Sequence, residues 1–289
     1  MSSRFLATLI GLIAIGFWAI LALLTAATGT IPPFQLLAMT FVTGAAIGVV
    51  SWAFRPGATE ALRQPWPVWL LGVGGLFGYH AVYYAALRQA PPAEASLIAY
   101  LWPLLIVLFS ALLPGERLRW YHLAGGILGF GGVVALALGR GTSLDTANLP
   151  GYGLALACAF IWSGYSVLSR RFKAVPTDAV VGFCIVTALL ALPCHFLFEE
   201  TVWPKDSGQW LAVLGLGLGP VGAAFYAWDH GVKHGDIRLL GVLSYATPVL
   251  STLIMVVTGF AAATTALALA CLLIVAGAFL ASRDQWAKG

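Results

Sequence analysis

Nine aromatic side chains that carry a polar N–H or O–H fall near the middle of long charge-free stretches: Trp18, Tyr79, Tyr83, Tyr100, Trp102, Trp162, Tyr165, Tyr226 and Tyr245. Such groups need hydrogen-bond partners, and a bilayer core offers none, so they are expected to face the interior of a bundle. Tyr79 and Tyr83 stand at i and i+4, the spacing at which helical side chains share a face. His80 and Tyr84 repeat that spacing on the adjacent stripe. His80 is the one ionisable group at mid-depth, and ionisable residues inside a membrane are functional candidates. The chemistry on offer is recognition of a flat or apolar solute by aromatic faces, with a few indole, hydroxyl and imidazole contacts.

Two prolines add polar groups. Pro103 and Pro248 each lack an N–H and free the carbonyl four residues back, on Ala99 and Ser244. Those carbonyls are expected to accept from a substrate ammonium, and the hydroxyls of Ser244, Tyr100 and Tyr245 to donate to a carboxylate. The prolines themselves are expected to act as hinges. No Asp, Glu, Lys or Arg lies in the middle third of any charge-free stretch. A phosphorylated substrate would want Arg or Lys there, and a permanently cationic drug would want a carboxylate. A zwitterion or a neutral solute suits a site of dipoles and aromatic faces, with cation–π contact from Trp18, Trp102 or Trp162 to an ammonium. The expected substrate site is therefore Trp18, Tyr79, His80, Tyr83, Tyr100, Trp102, Trp162, Tyr165, Ser244 and Tyr245, with no metal and no cofactor.

The elements that must position these residues follow from composition. Of 289 residues, 60% are hydrophobic and 9% charged, against roughly a quarter charged in soluble domains. That excludes a soluble globular enzyme, a disordered chain and a secreted disulfide scaffold. Charge-free runs cover 5–54, 64–87, 95–115, 120–139, 146–169, 179–198, 207–228 and 239–282. A spanning helix needs about 20 apolar residues. The six shorter runs hold one helix each, and the two long ones hold two each, broken at Thr28–Pro33 and at Gly259. Ten helices are expected. The strict alternation of a β-barrel is missing, and the first run is too long for the core of a cleaved signal peptide.

Charge sets the orientation. With the N-terminus in the cytoplasm, the inside segments hold Arg4, Arg55, Arg63, Arg117, Arg119, Arg170, Arg171, Lys173, Lys233, Arg238, Arg283 and Lys288, and the outside loops hold only Arg88, Arg140 and Lys205. This 12-to-3 bias places both termini inside. It also explains the basic pI, about 9.0, without nucleic acid; the Arg170–Lys173 run reads as a retention signal facing anionic lipid. Trp52, Trp66, Trp69, Trp120, Tyr121, Trp203, Trp210 and Trp286 read as an interfacial belt. Cys158, Cys184, Cys194 and Cys271 lie in apolar runs with no close metal-ligand spacing and read as packing residues. Asp229-His230 reads as a surface pair or gate contact, His122 as a snorkelling side chain, and His195 has no assigned role.

An offset of 145 residues superposes Arg88 on Lys233, Ala90 on Gly235, Tyr100 on Tyr245 and Pro103 on Pro248, and an offset of 144 superposes Trp18 on Trp162. The repeat unit then holds five helices, an odd number, so its second copy enters the membrane from the other side. Such inverted repeats are an architecture of secondary transporters. The expected halves are residues 1–140 and 150–283, joined by an outer loop at 141–149. Gly74-x-x-x-Gly78, Gly125-x-x-x-Gly129 and Gly215-x-x-x-Gly219 read as small-residue packing stripes. Gly217-x-Gly219-x-x-Gly222 matches a dinucleotide fingerprint in form only, having no strand before it. No Walker A sequence is present.

Two five-helix halves, an early mid-span Trp in each, and Leu113-Pro114-Gly115-Glu116-Arg117-Leu118 at the close of the fourth helix resemble the EamA-type fold of the drug/metabolite transporter superfamily. The second half departs from the pattern, with Gly259-Phe260-Ala261-Ala262 lacking the Glu-Arg pair. Gly78-Tyr79-His80-Ala81-Val82-Tyr83-Tyr84-Ala85-Ala86-Leu87, followed by Ala99-Tyr100-Leu101-Trp102-Pro103, resembles the YddG-type aromatic amino acid exporters. The resemblance implies a multi-pass exporter of the bacterial inner membrane with a central cavity. The expected function is secondary export of aromatic or neutral amino acids by alternating access. A broad drug or metabolite exporter of the same fold is the rival. A membrane enzyme acting on lipid lacks the clustered acids or histidines it would need, and a receptor has no use for an inverted repeat. The expected partners are a small-molecule substrate and the bilayer; oligomeric state is open, and one chain of ten helices suffices to enclose a cavity.

Overall fold

The computed structural model describes residues 3–259 and 262–283. Phe260, Ala261, Trp286 and Lys288, used above, lie outside them. The described residues form helices and connecting turns, with no strand. Among the described residues nine helices are long and apolar enough to cross a membrane: α1 (Ser3–Ala27), α2 (Pro33–Trp52), α3 (Trp66–Leu87), α4 (Pro92–Ser110), α5 (Trp120–Leu138), α6 (Thr146–Arg171), α7 (Ala179–Phe198), α8 (Ser207–His234) and α9 (Ile237–Val257). A further apolar helix, α10 (Thr265–Ala281), is shorter. Prolines open α2, α3 and α4, where a missing N–H costs nothing.

Contacts between helix ends define two faces. At the first, Arg4, Glu116, Arg170, Asp236 and Arg238 meet, and Arg55 pairs with Asp178. At the second, Glu199 at the end of α7 accepts from the N–H groups of Phe34 and Gln35, in the first turn of α2, and Tyr152 bonds Glu94. His195, without an expected role, is buried here between Glu199 and Thr201. The chain therefore runs from face to face and back.

The helices pair as α1 with α8, α3 with α6, α2 with α7, α4 with α9 and α5 with α10. The α5–α10 seam is held by glycine: a methyl on Gly125 would stand 2.6 Å from the Gly277 carbonyl, and one on Gly277 2.6 Å from the Gly125 carbonyl. A methyl on Gly132 would lie 3.0 Å from the Ala270 carbonyl. Gly74 and Gly78 do not form the packing stripe their spacing suggested, since nothing lies within 4 Å of a side chain built on either. They bound a widened, π-type turn in α3, Gly74–Gly78. A second such turn interrupts α8 at Gly219–Ala223. Two further interruptions fall at Tyr100–Leu101 in α4 and Ser244–Tyr245 in α9. Pro103 and Pro248 stand in the first turn of the helix that resumes after each.

Some side chains sit differently from expectation. His122 is buried, and its Nδ1 accepts the Arg119 N–H, which caps the start of α5. Tyr121 is buried against it, not in the interfacial belt. Asp229 is not a surface residue: α8 continues past the first charge, and Asp229 and Lys233 bury each other as an ion pair.

The first face is closed by a charge cluster. Gly115, at φ 81°, makes the sharp corner that turns Glu116 inward. Its carboxylate lies 2.6 Å from Arg170, 3.2 Å from Arg4 and 3.4 Å from Arg238. Asp236 caps α9 through the Arg238 and Leu239 N–H groups. Burial alone would raise the Asp236 carboxyl, but Arg238 and Arg4 beside it and the Leu239 N–H hold it below the ordinary carboxylate value. A depressed acid stabilises the fold above its unfolded pKa of about 3.9, and that contribution is lost as pH falls through the lower folded value. The melting temperature in detergent is thus expected to be insensitive to Asp236 above about pH 4 and to fall below it. Asp236→Asn should flatten that acid limb; an unchanged limb would assign it to other carboxylates.

A central aromatic cavity as the candidate functional site

Between the middle of the bundle and the second face lies a cavity of about 350 Å³, within the range of small-molecule sites. Trp18, Leu21 and Thr25 line it from α1, and Leu36, Leu37 and Thr40 from α2. Tyr79, His80, Tyr83, Tyr84 and Leu87 come from α3, and Ser96, Ala99, Tyr100 and Trp102 from α4. The rest of the wall is Trp162 of α6, Leu216, Pro220, Val221 and Phe225 of α8, and Thr247 of α9. None of these lining residues is Asp, Glu, Lys or Arg.

Its floor is built of tryptophan. Trp18, Trp102 and Trp162 line it, with the fully buried Trp228 packed beneath them; the four rings touch in every pairing, with centroids 5.2–6.4 Å apart, the range of favourable aromatic contact. Two of the indoles bond inward: Trp18 Nε1 donates to the Pro220 carbonyl at 3.1 Å, and Trp228 Nε1 to Ser166 Oγ at 3.0 Å. The Pro220 carbonyl is presented by the widened turn of α8, which is how a backbone oxygen reaches the interior of an apolar bundle.

The α3 wall follows its i, i+4 spacing. Tyr79 and Tyr83 stack in parallel, 10° between planes and 5.8 Å between centroids. Tyr83 shares a 2.7 Å hydrogen bond with Ser96, which ties α3 to α4. His80 meets Phe41, Tyr84 and Phe225 edge-on. Its Nδ1 lies 2.7 Å from the Leu76 carbonyl. A carbonyl only accepts, so Nδ1 carries the proton and Nε2 is left as an acceptor in the neutral ring. Leu76 belongs to the widened turn of α3.

Seven of the ten expected residues meet at this cavity: Trp18, Tyr79, His80, Tyr83, Tyr100, Trp102 and Trp162. Tyr165, Ser244 and Tyr245 do not line it. Ser244 is buried and donates to the Leu240 carbonyl at 2.7 Å, and its own carbonyl accepts the Thr247 N–H. Tyr245 accepts the Leu104 N–H at 3.1 Å, so it fills the hydrogen-bond gap at the α4 break. Tyr165 packs on Trp162 away from the cavity. Tyr226, counted among the mid-span aromatics, donates to the Gly44 carbonyl at 3.1 Å. Sequence reasoning missed Trp228 and Phe225, as well as the hydroxyls of Thr25, Thr40 and Thr247. The offset of 145 places Trp228 on Tyr83 and Phe225 on His80, the one sequence signal from which they were recoverable.

The pattern of the EamA-like transporter family matches residues 5–138 and again 149–283. The aromatic amino acid exporter YddG of Ancylobacter novellus is 60% identical over 282 residues, 97% of this chain and 98% of its own. The aromatic amino acid exporter YddG of Salmonella typhimurium is 27% identical over 264 residues, 85% of this chain and 86% of its own. A solved crystal structure with 60% sequence identity superposes with a TM-score of 0.93, covering 96% of each chain. Matched in both stretches of its sequence and nearly throughout its backbone, the chain belongs to the EamA-like transporter family.

Proposed function

We propose that the protein exports aromatic and related neutral amino acids by alternating access through the central cavity. It is a multi-pass transporter of the bacterial inner membrane, not an enzyme. The observation that carries the substrate assignment is the cavity itself: about 350 Å³, floored by indoles, walled by tyrosines, and free of charged lining residues. The indole faces attract an ammonium and stack a planar side chain. His80 Nε2 is placed as an acceptor for the ammonium, and the Ser96, Tyr83 and Tyr100 hydroxyls for the carboxylate. Tyr165 and Tyr245 support this wall from behind, and Ser244 holds the α9 break.

In this reading all ten helices span, in two inverted halves, 1–140 and 150–283, with the first face and both termini cytoplasmic. Three observations support it. The widened turns begin at Gly74 and Gly219, 145 residues apart. The breaks in α4 and α9 fall within one residue of matching positions, each shortly before its proline. Exchanging the halves converts the α1–α8 contact into α6–α3 and leaves α2–α7, α4–α9 and α5–α10 unchanged. The cavity then faces the periplasm, and the charge cluster seals the cytoplasmic side.

The test is uptake of labelled tryptophan or phenylalanine into liposomes holding the purified protein, with and without a pH gradient. Saturable uptake competed by other aromatic amino acids is expected. Transport of flat non-amino-acid solutes in place of these would move the assignment to a broad metabolite exporter of the same fold.

A further inference from the structure

Asp229 and Lys233 take no part in the central cavity. They sit one turn apart on α8, 1% and 4% exposed, with Nζ 2.8 Å from the carboxylate. Thr177 also donates to Asp229, at 2.8 Å, and Lys233 to the Val175 carbonyl at 3.0 Å. Burying two ions costs several kcal/mol of desolvation each, and an apolar pair of like volume packs as well or better. Packing alone therefore does not account for them.

Beside the pair is a pinched void of about 10 Å³, room for about one water. Its walls include Leu71, Tyr165, Ser169, Phe183, Asp229 and Lys233. Four wall residues of the large cavity are Leu21, Thr25, Tyr84 and Leu216. Offsets of 144 for the first two and 145 for the others carry them onto Tyr165, Ser169, Asp229 and Leu71. All four images line the void. The void thus shares four matched wall positions with the large cavity and lies at the first face, where the large cavity lies toward the second. Widening the void around the ion pair would require the segment carrying Val175 and Thr177 to release its bonds to the pair.

We propose that Asp229 and Lys233 are the docking site on the cytoplasmic side for the two charged ends of a zwitterionic α-amino acid, which replaces their mutual ion pair with two of its own. The proposal rests on the amino acid reading given above. Asp229 takes the ammonium and Lys233 the carboxylate, so no charge is left unpaired in the exchange. The rings of Tyr165 and Phe183 flank the same space for the substrate side chain. The counterpart of Asp229 at the periplasmic side is Tyr84, which carries no charge, and that of Lys233 is Arg88, which does not line the large cavity, so docking by a pair of opposite charges is one-sided.

The test compares wild type with Asp229→Leu/Lys233→Met, measuring tryptophan transport from each face in vesicles of known protein orientation. The double variant removes both charges together and is expected to fold, because neither ion is left alone. The expected result is a rise of at least tenfold in the KM for tryptophan presented at the cytoplasmic face, with the KM at the periplasmic face unchanged. Wild-type KM values at both faces would overturn the docking site and leave amino acid export standing. A wild-type protein that moves no tryptophan, with orientation verified, would overturn both. A thermal melt of the double variant separates a lost site from a lost fold, and an equal KM rise at both faces would assign the pair a purely structural role.

Discussion

Trp162→Ala is expected to raise the KM for an aromatic amino acid by about 30- to 100-fold. Trp162 is the hub of the cavity floor: its ring touches Trp18, Tyr79, Trp102, Tyr165, Phe225 and Trp228. A substrate ring that lies on it loses the burial and stacking of one large face, about 2–3 kcal/mol, and each 1.4 kcal/mol is tenfold in affinity. The same truncation opens a hole worth about 3–5 kcal/mol of stability. Trp162→Phe separates the two effects, because it keeps an aromatic floor and most of the volume. The expected order in uptake assays is wild type, Phe, then Ala, with the Phe variant close to wild type in thermal unfolding. An alanine variant that folds and transports with the wild-type KM would remove Trp162 from the binding surface.

Glu116→Gln is expected to open the first face. One carboxylate there holds Arg4, Arg170 and Arg238, and without its charge Asp236 alone faces the three guanidiniums. Breaking a buried ion network costs about 3 kcal/mol or more. If that loss falls on the state in which the cluster is closed, the balance between the two states shifts about a hundredfold. Cys184 is a native reporter. It is fully buried and stands 144 residues beyond Thr40, a wall residue of the open cavity. With Cys158, Cys194 and Cys271 replaced by alanine, maleimide should label Cys184 about tens of times faster in the Glu116→Gln background. An equal rate would show that other contacts hold the face shut.

Much of the architecture was legible because a bilayer leaves few options. Among the described residues every run without charge carries helix, and the aromatics that needed hidden partners mostly found the cavity: Trp18 reached a backbone carbonyl and Tyr83 reached Ser96. The errors share one cause, which is that hydropathy reads a residue alone and not with its partner. Lys233 looked like a loop cation because a run ends at its first charge, yet Asp229 one turn earlier neutralises it and α8 continues. Trp228, at the end of a run, has the same sequence context as an interfacial anchor, and only Ser166 on another helix accounts for its burial. Ser244 and Tyr245 were expected to face a ligand because a proline frees backbone groups nearby. The protein satisfies those groups itself: the Thr247 N–H donates to the Ser244 carbonyl within α9, and Tyr245 reaches across from α9 to accept the Leu104 N–H of α4. The widened turns had no sequence signal beyond glycine.

The glycine seam of α5 and α10 has a reciprocal form. Gly125 touches Gly277, and Gly132 touches Ala270; an offset of 145 carries Gly125 onto Ala270 and Gly132 onto Gly277. Residue i meets j, and the image of j meets the image of i, which is how identical subunits join about a two-fold axis. A dimer interface is thus written inside a single polypeptide. Its two sides are separate codons, so each can change without its twin, but a side chain on Gly125 or Gly277 would strike the other's backbone. In the two-half reading proposed above, the halves are freer to differ at the cavity walls than along this seam, and there Tyr84 and Asp229 stand at matching positions, one uncharged and one charged.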